Sequence, residues 1–295
     1  ATALSRRCLP ALGFRTPDSL VPDRFRYGYG RSPAIAELAA SREPALLVTV
    51  DNGITSLEGV RRARELGMEV LITDHHLAGP VLPDEALIVN PNLPGSEFGS
   101  PALCGVGVAF YLMAATGRRL AELGIISAEV AREAVTDCLD LVALGTVADL
   151  VPLDFNNRIL VAEGLRRMRA GRTRPGIEAL FRVAGRELQL ARSADMGFAI
   201  APRLNAAGRL EDMTIGINCL LASDAATAQA LATRLDGLNL ERRALQQQMQ
   251  AEAEALLDGL GAGAGTAEPA ICLFDERWHP GIVGLVANRL REITG

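Results

Sequence analysis

Two acid-containing segments stand out in this sequence because each directly follows an apolar run. Asp51 ends the run Leu46 to Val50, and Asp74-His75-His76 ends the run Met68 to Thr73. The chain has only three histidines, so two adjacent ones behind an aspartate form a sharp local signal. Carboxylates and imidazoles without a thiolate favour manganese or magnesium over zinc. The pattern therefore predicts a site for a divalent metal ion.

The segment between these acids has the pattern of a helix, which makes the region one β-α-β unit. Thr55 followed by Glu58 predicts a capping box, and Gly67 stands where a left-handed residue ends a helix. The two strands are then parallel neighbours, and side chains beyond the carboxyl ends of parallel strands share one crevice. We therefore expect Asp51 to meet the Asp74–His76 segment. The competing interpretations are a purely structural histidine pair and an ordinary Asn-Gly turn.

A third acid, Asp149, lies among apolar residues on a predicted turn before Pro152. Carboxylates are rarely buried unless they are paired or bind a metal, so Asp149 is a further candidate ligand. Two ions about 3.5–4 Å apart are a common arrangement for hydrolysis of phosphoesters. Three firm ligands are too few for two octahedral ions, so further carboxylates would be needed.

The segment Phe198 to Leu210 carries Arg203, Asn205 and Arg209 around an Ala-Ala-Gly sequence. A glycine-containing turn with two arginines and an amide would suit a phosphate clamp. A helix start with its arginines in solvent fits the same residues equally well. Interleaved aromatics and arginines in Arg15–Ser32 could stack on single-stranded nucleic acid, although packing of the aromatics on the sheet explains them better.

The rest of the sequence predicts mainly helices. Helical patterns cover residues 1–13, 33–41, 128–144, 157–169, 174–183, 224–260 and 282–292 and a segment that starts at Cys104. Further strands are predicted at 86–89 and 270–274, and a flexible glycine-rich linker at 259–265.

Composition narrows the class of protein. With 295 residues and 49% hydrophobic residues, the chain can bury a sizeable core. Its net charge of -5 excludes nucleic-acid binding by bulk charge alone, but leaves room for a local arginine-lined groove. All thirty basic residues are arginine, the better bidentate ligand of phosphate. The five scattered cysteines predict no disulfide framework and favour a reducing cytoplasm, and no apolar stretch is long enough to span a bilayer.

Five motifs occur in order along the chain. They are TVDNGI at Asp51, TDHH at Asp74–His76, LGTVADLVPL at Asp149, APRLNAAGR at Arg203–Arg209 and WHPGIVG at His279. In this order and spacing they resemble the motifs of the DHH phosphoesterase family, and within it those of the RecJ-like single-strand-specific exonucleases. An NAD-binding Rossmann protein is disfavoured because no G-x-G-x-x-G follows a strand.

The resemblance implies an α/β fold. It would comprise a parallel-sheet DHH domain with helices on both faces at residues 1–222, a long connecting helix with its linker at 223–265, and the start of a smaller DHHA1-like α/β domain at 266–295. Family members also carry an earlier D-x-D-x-D-G turn and a later G-G-G-H segment that this sequence lacks. The resemblance thus implies an internal piece of a RecJ-like protein, weakly active or inactive by itself.

The resemblance also implies roles for individual residues. Asp51 would bridge two Mn²⁺ or Mg²⁺ ions, and His75 and Asp149 would bind one of them. Asp74 and His76 would be supporting or substrate-orienting groups. Four residues would hold the phosphates of the substrate: Arg203, Asn205, Arg209 and His279.

The implied function is digestion of single-stranded DNA from its 5′ end in recombination and repair. A single-strand-binding protein and a helicase are implied partners, and the protein would be a cytoplasmic monomer without membrane attachment. Two alternatives stay open: a DHH hydrolase of short oligoribonucleotides or cyclic dinucleotides, and a catalytically inactive scaffold that binds nucleic acid.

Overall fold

Three short parallel strands form the sheet around which the site is built. They are β1 (Leu46–Val50), β2 (Glu69–Thr73) and β3 (Leu87–Val89), in that spatial order. The register pairs the last residue of β1 with the last of β2, and the last of β2 with the last of β3. All three strands therefore end at the same edge, where the residues that follow them come together. The structure is a computed structural model that describes residues 1–21, 32–260 and 270–294.

Helices make up most of the remainder. In chain order they are α1 (Thr2–Ala11), α2 (Pro33–Ala40), α3 (Leu57–Glu65), α4 (Gly105–Glu122), α5 (Ala128–Thr136), α6 (Leu139–Ala148), α7 (Phe155–Arg169), α8 (Pro175–Val183), a π-helical turn (Met196–Ile200), α9 (Ala201–Leu210), α10 (Thr214–Leu221), α11 (Ala225–Leu260) and α12 (Val283–Thr294). Short helical turns also occur at Leu188–Leu190 and Ser193–Asp195.

The helix of the β-α-β unit is present, but its predicted capping box is wrong. Ser56 is the N-cap residue, and its side chain makes no capping hydrogen bond. The cause is a tertiary contact upstream, since the backbone N–H of Ile54 donates to the buried Asp74 carboxylate at 3.0 Å and fixes the turn before the helix. Gly67 has φ +83°, so the predicted left-handed end of the helix is confirmed.

The single helix predicted at 128–144 is wrong, because the structure has α5 and α6 there. The break lies at Asp137 and Cys138, where the guanidinium of Arg174 donates a hydrogen bond to the carbonyl oxygen of Asp137 at 3.0 Å. Arg174, from a distant segment, thus supplies a hydrogen-bond partner for a carbonyl group at the end of α5. Asp149 lies on a turn, as predicted, and is the C-terminal capping residue of α6.

The segment around Arg203 is helical, since the π-helical turn leads directly into α9. Of the two interpretations, the turn is therefore wrong and the helix start is present, although the side chain of Arg203 is mostly buried. The strand predicted at 270–274 is also wrong. Residues 270–274 form no strand, and no described strand lies beside them to supply backbone hydrogen bonds. The arginine and aromatic residues between 24 and 31, and positions 261–265 of the linker, lie outside the described residues.

Helix α11 is continuous through Gly237 and contributes to two apolar clusters. Its first half packs Ala232 and Leu235 into the main core, whereas Met249 in its second half packs with Ile282 of the C-terminal segment. The helix thus connects the two clusters, and the predicted domain limits at 222 and 265 stay predictions. No described helix has the length and hydropathy that crossing a bilayer requires.

Candidate metal centre

Asp51 directly follows β1 and has a left-handed backbone with φ +64°. Its N–H still donates to Thr73 at 2.9 Å, so the residue continues the β1–β2 pairing. The hydroxyl of Thr49 donates to the carbonyl of Asn52 at 2.6 Å, and that of Thr73 donates to the carbonyl of Thr49 at 2.7 Å. Because a non-glycine residue adopts this conformation at a cost, these contacts of the surrounding backbone help to hold Asp51 in it.

The N-terminus of α4 lies against this carboxylate. A Cβ added at Gly105, the first residue of α4, would overlap the carboxylate of Asp51. Only glycine lets the helix start approach so closely. The partial positive charge of a helix N-terminus also favours an anionic group at this position.

Asp74, at the end of β2, is buried and accepts four hydrogen bonds. They come from the N–H groups of Ile54, His75 and His76 at 3.0, 2.8 and 3.2 Å, and from Nδ1 of His76 at 2.6 Å. Burial opposes ionisation, but these hydrogen bonds outweigh it and lower the pKa of the Asp74 carboxyl. Asp74 is therefore a buried anion that fixes the histidine segment and the ring of His76.

Two amides after β3 hold the same segment from the other side. Asn90 donates to the carbonyl of His76 at 2.9 Å, and Asn92 donates to the carbonyl of His75 at 2.6 Å. The N–H of Asn92 donates to Oδ1 of Asn90 at 2.8 Å, which orients the first amide. The backbone of the histidine pair is thus clamped between Asp74 and these two asparagines.

His75 turns its ring toward two carboxylates from different elements. Its Nε2 lies 3.1 Å from Oδ1 of Asp51 and 3.4 Å from Oδ2 of Asp149. This nitrogen is buried and makes no directed hydrogen bond with any described residue. The carboxylate of Asp51 raises the pKa of His75 despite the opposing effect of burial, while burial and the Asp51 charge raise the pKa of Asp149. A ring nitrogen between two carboxylates without its own partner suits a ligand of a cation.

His76 also lies beside this group. One ligand atom each from Asp51, His75 and His76 lies within 4.8 Å of the others. A carboxylate that holds one ring nitrogen of a histidine commonly orients the other nitrogen toward a metal, and Asp74 holds Nδ1 of His76 in this way. The residues fit a divalent cation with mixed oxygen and nitrogen ligands. Asp51, His75 and Asp149 could hold it, with His76 beside them.

The predicted phosphate-binding residues differ in their partners and in their exposure. The guanidinium of Arg203 pairs with Asp236 of α11 at 2.8 Å and donates to the carbonyl of Ala199 at 2.7 Å. Its side chain is mostly buried, so in this conformation Arg203 joins α9 to α11. Asn205 is exposed on α9.

Arg209 and His279 come together although they are far apart in the sequence. Arg209 donates to the carbonyl of Gly281 at 3.2 Å, and the N–H of Gly281 donates to Nδ1 of His279 at 3.1 Å. A Cβ at Gly281 would overlap the backbone of Arg209, so the loop before α12 lies directly on the end of α9. The two motifs are therefore adjacent in the structure, and their contact with a substrate stays a prediction.

The supporting residues were not singled out from the sequence. Asn90 and Asn92 follow a strand of the same sheet as Asp51 and Asp74, so their position at the shared edge was a signal that could have identified them. Gly105 gave no such signal, because its role depends on how closely α4 approaches Asp51.

Comparisons with known proteins identify the family and agree with the fold. The model of the DHH family, N-terminal domain, matches residues 1–146. A crystal structure of exonuclease RecJ bound to manganese superposes with a TM-score of 0.83 at 36% identity, covering 99% of this chain and 69% of that one. The chain belongs to the RecJ group of the DHH family. The family membership and α/β fold that the five motifs indicate are confirmed.

Other members of the RecJ group show how much of such a protein this chain represents. The single-stranded-DNA-specific exonuclease RecJ of Salmonella typhimurium is 48% identical over 293 residues, covering 99% of this chain and 51% of the relative. A crystal structure of RecJ from Thermus thermophilus in complex with Mn²⁺ is 34% identical, with a TM-score of 0.77, covering 99% of this chain and 39% of that one. The chain thus spans about half the length of the curated relatives it matches.

Proposed function

We propose that this chain supplies the metal-binding part of a phosphodiesterase that digests single-stranded DNA from its 5′ end in recombination and repair. The observation that supports this most directly is the convergence of His75, Asp51 and Asp149. Membership of the RecJ group supports the choice of substrate, because its relatives carry the name of single-stranded-DNA-specific exonucleases. Mn²⁺ or Mg²⁺ is the proposed cofactor, since oxygen and imidazole ligands suit both.

Each residue of the site has a separate proposed role. Asp51, His75 and Asp149 would hold the cation, Asp74 would keep the ring of His76 oriented, and His76 would face the ion or the reacting phosphate. A divalent cation held there polarises a phosphorus-bound oxygen and lowers the pKa of a bound water.

Substrate contacts are proposed at the far end of α9. Arg209, Asn205 and His279 would contact a strand that leaves the metal residues, and the packing of the π-helical turn before α9 on the end of α6 supports this assignment. A Cβ at Gly197 in that turn would be 3.3 Å from Cγ1 of Val147. Arg203 would reach a phosphate only by leaving Asp236, so its proposed substrate role requires that this ion pair opens.

The experiment compares the 295-residue chain with a full-length RecJ relative on substrates labelled at either end. Mn²⁺-dependent release from the 5′ end of long single strands supports the proposal, whereas a preference for di- and trinucleotides or cyclic dinucleotides supports the alternative hydrolase. For the chain itself we expect weak or no release, because its three firm ligands are too few for two octahedral ions. Robust Mn²⁺-dependent release by the chain would contradict that expectation.

An inactive scaffold is the remaining alternative, and Mn²⁺ titration by calorimetry separates it from a metal enzyme. A single-strand-binding protein and a helicase as partners, a monomeric state and a cytoplasmic location stay predictions of the sequence.

A further inference from the structure

The first turn of α4 contacts elements on both sides of the metal centre. At Gly105 it lies against the carboxylate of Asp51, which follows β1. One residue later, Val106 packs on α6 so closely that a Cβ added at Gly145 would overlap its side chain. Asp149 caps the end of this same helix α6. The start of α4 therefore lies between the elements that carry two candidate ligands, which are far apart in the chain.

A buried polar contact fixes the start of α4 to α6. The sulfur of Cys104, the N-cap residue of α4, lies 3.3 Å from the hydroxyl oxygen of Thr146 on α6. Cys104 is 1% exposed and Thr146 is 0% exposed. A buried hydroxyl is unfavourable without a hydrogen-bond partner, so valine would suit this position if packing were its only task. The contact joins the residue before Gly105 to a residue about one helical turn before Asp149.

The separation of the two carboxylates matters because one cation must reach both of them. Nε2 of His75 lies 3.1 Å from Oδ1 of Asp51 and 3.4 Å from Oδ2 of Asp149, so the three groups are already close together. Mg²⁺ requires near-ideal octahedral ligands and gives up its waters reluctantly, whereas Mn²⁺ is larger and tolerates distortion better. A change in the spacing of the carboxylates should therefore affect the binding of Mg²⁺ more than that of Mn²⁺.

We propose that Cys104 and Thr146 are positioning residues that set the separation of the Asp51 and Asp149 carboxylates, and with it the relative affinity of the site for Mn²⁺ and Mg²⁺. Their hydrogen bond is directional, so it fixes how far α4 can slide or rotate against α6. Apolar packing between the same helices has no such direction. This inference rests on the proposed function, because it concerns the metal site that the function requires.

The test is calorimetric titration of the chain with Mn²⁺, alone and in competition with Mg²⁺. Thr146→Val keeps the shape of the side chain but removes the hydroxyl. It should weaken Mn²⁺ binding about tenfold, the lower end of the range for loss of a supporting group around a metal. The loss for Mg²⁺ should be larger, so the ratio of the two affinities should change. A merely structural role would lower the melting temperature and leave this ratio as it is.

Two further substitutions identify the hydrogen bond as the cause. Thr146→Ser keeps the hydroxyl and should bind Mn²⁺ and Mg²⁺ as wild type does. Cys104→Ala should weaken Mn²⁺ binding about as much as Thr146→Val. The double variant Cys104→Ala/Thr146→Val should lose less than the summed effects of the single changes, because both remove the same bond. Thermal melting confirms that each variant is folded.

The matched controls make the same chemical changes elsewhere. Thr116→Val removes a hydroxyl that donates to the carbonyl of Leu112 at 2.8 Å within α4. Cys219→Ala removes a buried thiol whose sulfur lies 3.9 Å from the carbonyl oxygen of Gly176. Neither contact joins α4 to α6, so both variants should keep the wild-type affinities for Mn²⁺ and Mg²⁺.

The outcomes distinguish this inference from the proposed function. If the wild-type chain binds Mn²⁺ but Thr146→Val shows the same ratio of Mn²⁺ to Mg²⁺ affinity as Thr116→Val, the inference is overturned and the proposed function stands. Equal losses in Thr146→Ser and Thr146→Val would assign the effect to packing and would also overturn the inference. If the wild-type chain binds neither cation, the metal site of the proposed function falls and the inference falls with it.

Discussion

The substitution Gly105→Ala tests whether the start of α4 positions the metal centre. The added Cβ would overlap the Asp51 carboxylate, which must then rotate away from the ring of His75. Displacing one ligand group should weaken Mn²⁺ binding about 10- to 100-fold, as loss of a supporting group around a metal typically does. This corresponds to about 1.4–2.7 kcal/mol.

Gly105→Ala should reduce the free energy of unfolding only modestly and should not unfold the protein. Alanine in a helix gains up to about 1 kcal/mol over glycine, whereas overpacking costs about 1–3 kcal/mol. The two contributions oppose each other, so the free energy of unfolding should fall by no more than about 2 kcal/mol. Urea denaturation measures this change, and calorimetric titration with Mn²⁺ measures the affinity.

Gly117→Ala is the matched control because it makes the same change on the same helix. A Cβ there would be 3.1 Å from Cδ2 of Leu12, in the apolar core and not at the site. It should leave Mn²⁺ affinity unchanged. Wild-type Mn²⁺ affinity in Gly105→Ala would refute the reasoning, and so would equal losses in both variants.

Two other substitutions distinguish a residue that positions the metal site from a residue that stabilises the fold. Asn92→Ala removes the 2.6 Å hydrogen bond to the carbonyl of His75, and should reduce stability by about 1 kcal/mol and Mn²⁺ affinity about tenfold, measured by urea denaturation and calorimetry. Asp140→Asn leaves the buried guanidinium of Arg174 without its main carboxylate, and should lower the unfolding free energy by about 3 kcal/mol in the same urea assay.

The controls for these two changes are exposed residues of the same type. Asn218→Ala and Asp258→Asn should leave both stability and Mn²⁺ affinity near wild type. If Asn92→Ala bound Mn²⁺ as tightly as Asn218→Ala does, the asparagines would not support the histidine pair. An Asp140→Asn variant as stable as wild type would show that Arg174 finds another partner.

The sheet and the acids at its edge could be predicted from the sequence because both follow from patterns of neighbouring residues. Apolar runs ending at Asp51 and Asp74 define two strands, and parallel strands bring their carboxyl ends to one edge. Asp149 was identified by its apolar neighbours, and it lies on the predicted turn, where it caps the C-terminus of α6. These predictions needed only residue types and spacing.

The remaining features depend on contacts between distant segments. The helical conformation around Arg203 is stabilised by Asp236, thirty-three positions later. The break between α5 and α6 depends on Arg174, and the need for glycine at position 105 depends on the separation of α4 from β1. Such distances are not encoded in a local pattern, so the sequence alone did not reveal them.

The most direct test of the central claim is a pulsed electron paramagnetic resonance measurement on the chain with bound Mn²⁺. If Asp51, His75 and Asp149 share one cation, the echo envelope should carry ¹⁴N modulation from imidazole. That modulation should fall in His75→Gln and persist in His279→Gln. Bound Mn²⁺ without ¹⁴N modulation in the wild-type chain, or with unchanged modulation in His75→Gln, would contradict the account.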